Sequence, residues 1–98
     1  PQRTRLMWYS NEVIYRLDPK FAQFYKLKTE EKLLSKEIDG SIIIQNCEED
    51  KEIFLRRLLK YTTHCEVIRP EKYRKKMLSL IENTIDTYKN DERKQINI

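Results

Sequence analysis

Apolar positions along the chain follow two periods. From Glu12 to Leu17 they alternate, with Val13, Tyr15 and Leu17 on one face and Glu12, Ile14 and Arg16 on the other. That predicts a strand, its odd-numbered residues turned to a packed helix layer. Asp18-Pro19 then marks a helix start, with Asp18 as cap and Pro19 in the first turn. Phe21, Phe24, Tyr25 and Lys28 recur at spacings of three and four, which predicts a helix to about Lys28. After a polar break at 29–31, Lys32–Ile38 alternates again, Leu34, Lys36 and Ile38 against Leu33, Ser35 and Glu37. Asp39-Gly40 predicts a two-residue type I′ hairpin into Ser41–Cys47, a run rich in β-branched residues.

The period then returns to helical. Glu48-Glu49-Asp50 opens a helix in which Ile53, Phe54, Leu55, Leu58 and Leu59 form the apolar side, ending near Tyr61-Thr62. His64–Arg69 predicts a short strand, and Pro70 starts a third helix with the stripe Tyr73, Met77, Leu80, Ile81, Thr84, Ile85, Tyr88. The order β-α-β-β-α-β plus a helix predicts an α+β, ferredoxin-like sandwich: a four-stranded antiparallel sheet, two helices on one face, and a long C-terminal helix. The domain is expected to span 11–89, with a frayed polar tail at 90–98. Residues 1–10 read equally as a linker, an extra edge strand or part of a longer first strand.

Composition narrows the function classes. Ninety-eight residues make one domain. With 39% hydrophobic and 37% charged residues in periodic blocks, the chain is expected to fold and not to remain disordered. No apolar run approaches the ~18 residues of a membrane span, and the charged start lacks a secretory signal. The start at Pro1 suggests a piece of something longer. The net charge of +4 permits a nucleic-acid partner without demanding one. A single glycine, Gly40, excludes a Gly-rich phosphate loop. Cys47 and Cys65 can form at most one bridge, and are read as reduced in a cytoplasmic protein.

Candidate chemistry is sparse. Cys47, His64 and Cys65 are the only soft ligands and lack metal-site spacing, so no metal or other cofactor is expected. Adjacent His64 and Cys65 point to opposite sides of a strand, which argues against a nucleophile and base pair. Glu48-Glu49-Asp50 is explained by the dipole of the helix it opens. The hairpin strand Gly40–Asn46 has no aromatic ring, so it lacks the stacking platform of an RRM-type RNA binder. The stretch 69–76 holds five cations and one acid, apt for phosphate oxygens or an acidic surface. The third helix must either cover the open sheet face, where Ile14, Ile42 and Ile44 would otherwise be bare, or pair with a second subunit.

Four elements in order carry a resemblance: Asp18-Pro19 after a strand; Asp39-Gly40-Ser41-Ile42-Ile43-Ile44; Leu58-Leu59-Lys60-Tyr61; and Cys65-Glu66-Val67-Ile68-Arg69-Pro70-Glu71-Lys72-Tyr73-Arg74, leading into a helix that closes with Asp86-Thr87-Tyr88. Over about residues 12–89 the chain resembles the C-terminal extension (WCX domain) of bacterial WYL-domain helix-turn-helix transcriptional regulators. The family pattern has a glycine after the second helix where Thr62 stands, so that turn is expected to differ or to carry strain. It often has an aromatic residue where Arg57 stands.

The resemblance implies helix-turn-helix and WYL domains upstream, a homodimer, and an effector cleft for nucleic-acid or nucleotide-like ligands. On that footing the chain is expected to be a cytoplasmic, non-enzymatic regulatory and dimerisation domain. Arg56, Arg57, Arg69, Lys72, Arg74, Lys75 and Lys76 are candidate effector contacts. Ile14, Ile42, Ile44, Met77, Ile81, Ile85 and Tyr88 are candidate dimer contacts. The alternatives are a stand-alone, RRM-like single-stranded nucleic-acid binder and an ACT-like small-molecule regulatory module.

Overall fold

A computed structural model describes residues 12–90 of the chain. The expectations for residues 1–10 and for the tail beyond 90 lie outside the described residues. In order the elements are β1 (Val13–Leu17), α1 (Pro19–Ala22), β2 (Glu31–Lys36), β3 (Ile42–Asn46), α2 (Lys51–Leu59), β4 (Cys65–Arg69) and α3 (Glu71–Lys89). A short 3-10 turn, Thr62–His64, precedes β4. The described residues are thus α+β: one four-stranded antiparallel sheet in the order β2-β3-β1-β4 and three helices, the last one long.

Register fixes the faces. Tyr15 lies opposite Ile44 and Val67, and Leu17 opposite Ile42 and Cys65. Val13, Tyr15, Leu17, Ile42, Ile44 and Val67 therefore share the side that receives Phe54, Leu55 and Leu58 of α2, and together they form the core. Phe21 and Ala22 of α1 and Tyr73, Met77 and Leu80 of α3 pack against the same cluster. The expected alternation of β1 therefore holds. Of the two roles expected for α3, covering the open sheet face is not the one taken: Tyr73, Met77 and Leu80 meet the core on the helix side, beside α2, and not the Ile14–Ile43 face.

Three local expectations are corrected. The first helix stops after one turn; Phe24 N–H and Tyr25 N–H donate to carbonyls only three residues back, Phe21 and Ala22. Beyond that point Tyr25 and Lys28 bond to Glu31 and not along a helix. The hairpin is present, but its loop has three residues. Gly40 N–H donates to the Glu37 carbonyl, Glu37 N–H to the Ser41 carbonyl, and of the loop residues only Gly40 has positive φ (97°). A type I′ turn needs two such residues; Asp39 instead accepts Ser41 N–H on its carboxylate at 2.8 Å. Pro70 flanks α3 as its N-cap residue, one position before the helix.

Candidate functional site

The most specific side-chain constellation centres on Glu31, at the start of β2. Its side chain is fully buried. Tyr15 Oη and Tyr25 Oη each donate to it at 2.6 Å, Asn46 Nδ2 at 2.8 Å and Lys28 N–H at 3.1 Å. Arg57 Nη2 stands 3.8 Å away and donates to Glu48 at 3.0 Å. Burial alone would push the Glu31 carboxyl up, but the bonds from Tyr15, Tyr25 and Asn46 outweigh it and hold it low. Burial, then the carboxylate, drives the phenols the other way: Tyr15 far up, Tyr25 to about 12. Both phenols therefore stay protonated donors at neutral pH. Among the described residues Arg57 Nη1 is buried without a hydrogen-bond partner. Sequence reading missed this cluster, although Tyr15 and Asn46 both sit at core-facing strand positions where a polar group needs a partner.

A second constellation joins β1 to β4. Asp18 caps α1 by accepting Lys20 N–H at 3.0 Å on Oδ1 and meets His64 Nδ1 at 2.6 Å on Oδ2. Asp18 N–H donates to the His64 carbonyl at 2.9 Å. The His64 ring packs edge-on to Phe21 at 5.3 Å. Half-buried His64 is therefore a clasp between the end of β1 and the start of β4. Burial pushes the neighbouring Cys65 thiol up to about 12, the reverse of an activated nucleophile. Among the described residues no group of three potential metal ligands converges.

The candidate effector cations are dispersed, and most are occupied. Arg56 and Lys76 both pair with Glu52, at 2.9 and 3.4 Å. Arg57 belongs to the Glu31–Glu48 cluster. Arg74 is held by Glu66 at 3.0 Å and by the Val67 carbonyl at 2.9 Å. Lys72 lies over the Tyr73 ring at 5.0 Å. Arg69 lines a cavity of about 480 Å³ with Glu12, Ile14 and Pro70. Arg69 and Lys75 are exposed and make no ion pair among the described residues.

The candidate dimer residues divide sharply. Ile42 and Ile44 are withdrawn: at 7% and 0% exposure they lie in the protein's own core, because their register with Leu17 and Tyr15 turns them to the helices. Ile14, on the opposite face, is 7% exposed and has little surface to offer. Met77 is half-buried against the core. Ile81, Ile85 and Tyr88 are exposed, and from Ile81 to Lys89 no residue of α3 is covered. Thr62, Thr63, Leu59 and Cys65 face Ile81, Thr84 and Ile85 across a groove of about 520 Å³.

The chain matches no known protein-family model and no curated protein sequence. Among the described residues no helix is long and apolar enough to cross a membrane.

Proposed function

We propose that the chain is a non-catalytic regulatory and dimerisation domain of a bacterial WYL-type transcriptional regulator, acting in the cytoplasm. The observation that carries the dimer role is the bare C-terminal half of α3. Ile81, Ile85 and Tyr88 stand 39%, 44% and 73% exposed on a helix that has run past its own core. A helix whose apolar stripe is left largely uncovered by the described residues, with an open groove between Ile81, Ile85 and Leu59, is suited to a partner.

A ferredoxin-like sandwich belongs to the same reading. The order β2-β3-β1-β4, with one helix between β1 and β2 and another between β3 and β4, is what two interleaved β-α-β units produce. The non-catalytic assignment is supported by burial raising the Cys65 thiol and by a His64–Asp18 pair with no hydroxyl or thiol bonded to it among the described residues. Of the effector contacts, Arg69, Lys72 and Lys75 are kept, since the other four candidates neutralise carboxylates of their own chain.

Light scattering on the chain at micromolar concentrations tests the dimer role. A mass of two copies is expected, falling to one in Ile81→Asp/Ile85→Asp. A wild-type monomer throughout that range overturns the reading.

A further inference from the structure

Exposed large apolar side chains of the described residues fall into two groups, with Ile53 apart. One is the end of α3: Leu78, Ile81, Ile85 and Tyr88. The other lies between α1 and the hairpin: Phe24 at 75%, Leu27 at 45%, Leu33 at 44%, Leu34 at 43% and Ile38 at 105% exposure. The groups differ in charge. From Ile81 on, α3 carries Glu82 and Asp86, with Lys89 only at its last position. The other group is interleaved in sequence with Lys20, Lys26, Lys28, Lys32 and Lys36, all exposed and none ion-paired among the described residues, Lys32 lying on the opposite face of the sheet with Gln45 and Ile14. Of the acids there, Glu31 is buried and consumed by its tyrosines, and exposed Glu30, Glu37 and Asp39 are outnumbered by the five lysines.

Shape matches charge. Leu33 and Lys36 pair with Ile44 and Ile42, so both belong to the helix side of the sheet. They are exposed because α1 ends after four residues and, among the described residues, leaves the helix layer open above β2. A cavity of about 340 Å³ lies at that place, lined by Pro19, Ala22, Gln23, Lys36 and Gly40. The nine uncovered residues of α3 form an amphipathic helical piece about 13 Å long.

We infer that this end of α3 is an arm, and that its receptor is the open helix-layer position beside β2 in a second copy of the chain, the two copies exchanging arms about a two-fold axis. The inference rests on the dimer reading above and names the surface that receives the helix. Direct pairing of two arms is disfavoured. Leu78, Ile81, Ile85 and Tyr88 follow a 3-4-3 spacing, and full antiparallel overlap of that seam sets Glu82 against its own copy. Strand addition at β2 is disfavoured too, by Lys32, Lys36 and the bulge between Leu33 and Ser35. Reciprocal exchange closes the contact at two copies, where a one-way contact would propagate into a chain.

Paired charge reversals test this by light scattering, with circular dichroism to verify folding. Glu82→Lys/Asp86→Lys reverses the arm; Lys26→Glu/Lys36→Glu reverses the receptor. Each is expected to weaken dimerisation by about tenfold or more, since like charges are brought together. Mixing the two variants is expected to restore a dimer, because each arm then meets a receptor of opposite sign. Undiminished dimerisation of the receptor variant, or mixing without recovery, overturns arm exchange while the dimer reading stands. A wild-type monomer overturns both, and a mass growing beyond two copies overturns the closed exchange.

Discussion

The two β-α-β halves of the sheet reach stability by different routes. In the second half, β3-α2-β4, a nine-residue helix capped by Asp50 buries Phe54, Leu55 and Leu58 almost completely. In the first half, β1-α1-β2, the helix is one turn long, and Lys32 through Lys36 are exposed on both sides of their strand. What holds β2 and its approach in place there is polar: one buried carboxylate gathers two phenols, an amide and a backbone N–H. A carboxylate holding four donors fixes position but leaves apolar surface uncovered beside it.

Cutting the apolar anchor gives the largest effect and the clearest contrast. Phe54 is fully buried and meets the Tyr15 ring edge-on at 5.6 Å. Phe54→Ala is expected to cost about 3–5 kcal/mol in urea unfolding. Leu33→Ala, the matching apolar truncation in the first half, is expected to cost under about 1 kcal/mol, because that side chain is already half in water. Comparable losses at the two positions would show that the halves are packed alike.

Removing the polar anchor comes next. Glu31→Ala leaves the Tyr15 and Tyr25 hydroxyls only each other, strips Asn46 Nδ2 of its acceptor and leaves Arg57 with Glu48 alone, and is expected to cost about 3 kcal/mol. In the wild type the Glu31 carboxyl is held below its ordinary value in the fold. Its contribution is therefore complete above the unfolded-state value of about 4.3 and is lost as pH falls through the lower folded value. Denaturation between pH 7 and pH 2 should show that decline in the wild type, with a shallower profile in Glu31→Ala. Parallel profiles would remove the carboxylate as anchor of the first half.

This contrast explains what could be read in the sequence. The second half followed from periodicity, since Phe54, Leu55 and Leu58 recur as a helix with one buried side and Asp50 supplies a capping side chain. The strained turn was legible as well: Thr62 stands where the resembled family has glycine, and its φ is 53°. The early end of α1 was not legible. Phe21, Phe24 and Tyr25 keep helical spacing, and only the distant partners Tyr15, Glu31 and Asn46 make the non-helical path of Tyr25 the better one. Ile42 and Ile44 were misread because β3 alternates equally well in either orientation; its pairing with β1 decides the face. The dispersal of the cations was hidden for the same reason, as Arg74–Glu66 and Lys76–Glu52 join different elements.

The smallest expected effect lies where the two halves meet. Asp18 follows β1 and His64 precedes β4, and their clasp ties the first half to the second. The bond from His64 is the largest influence holding the Asp18 carboxyl below the 3.8 of an unperturbed aspartate. A group depressed in this way stabilises the fold above its unfolded value and ceases to do so as pH falls through its folded value. Asp18→Asn separates charge from capping, because asparagine caps a helix about as well as aspartate. The variant is expected to melt slightly below the wild type at neutral pH, with the gap closing as the solution is acidified past the Asp18 value. A gap that persists undiminished at pH 2 would mean that the carboxylate charge adds nothing to the backbone ladder between β1 and β4. The clasp would then rest on the Asp18 N–H to His64 carbonyl bond alone, a link that does not titrate.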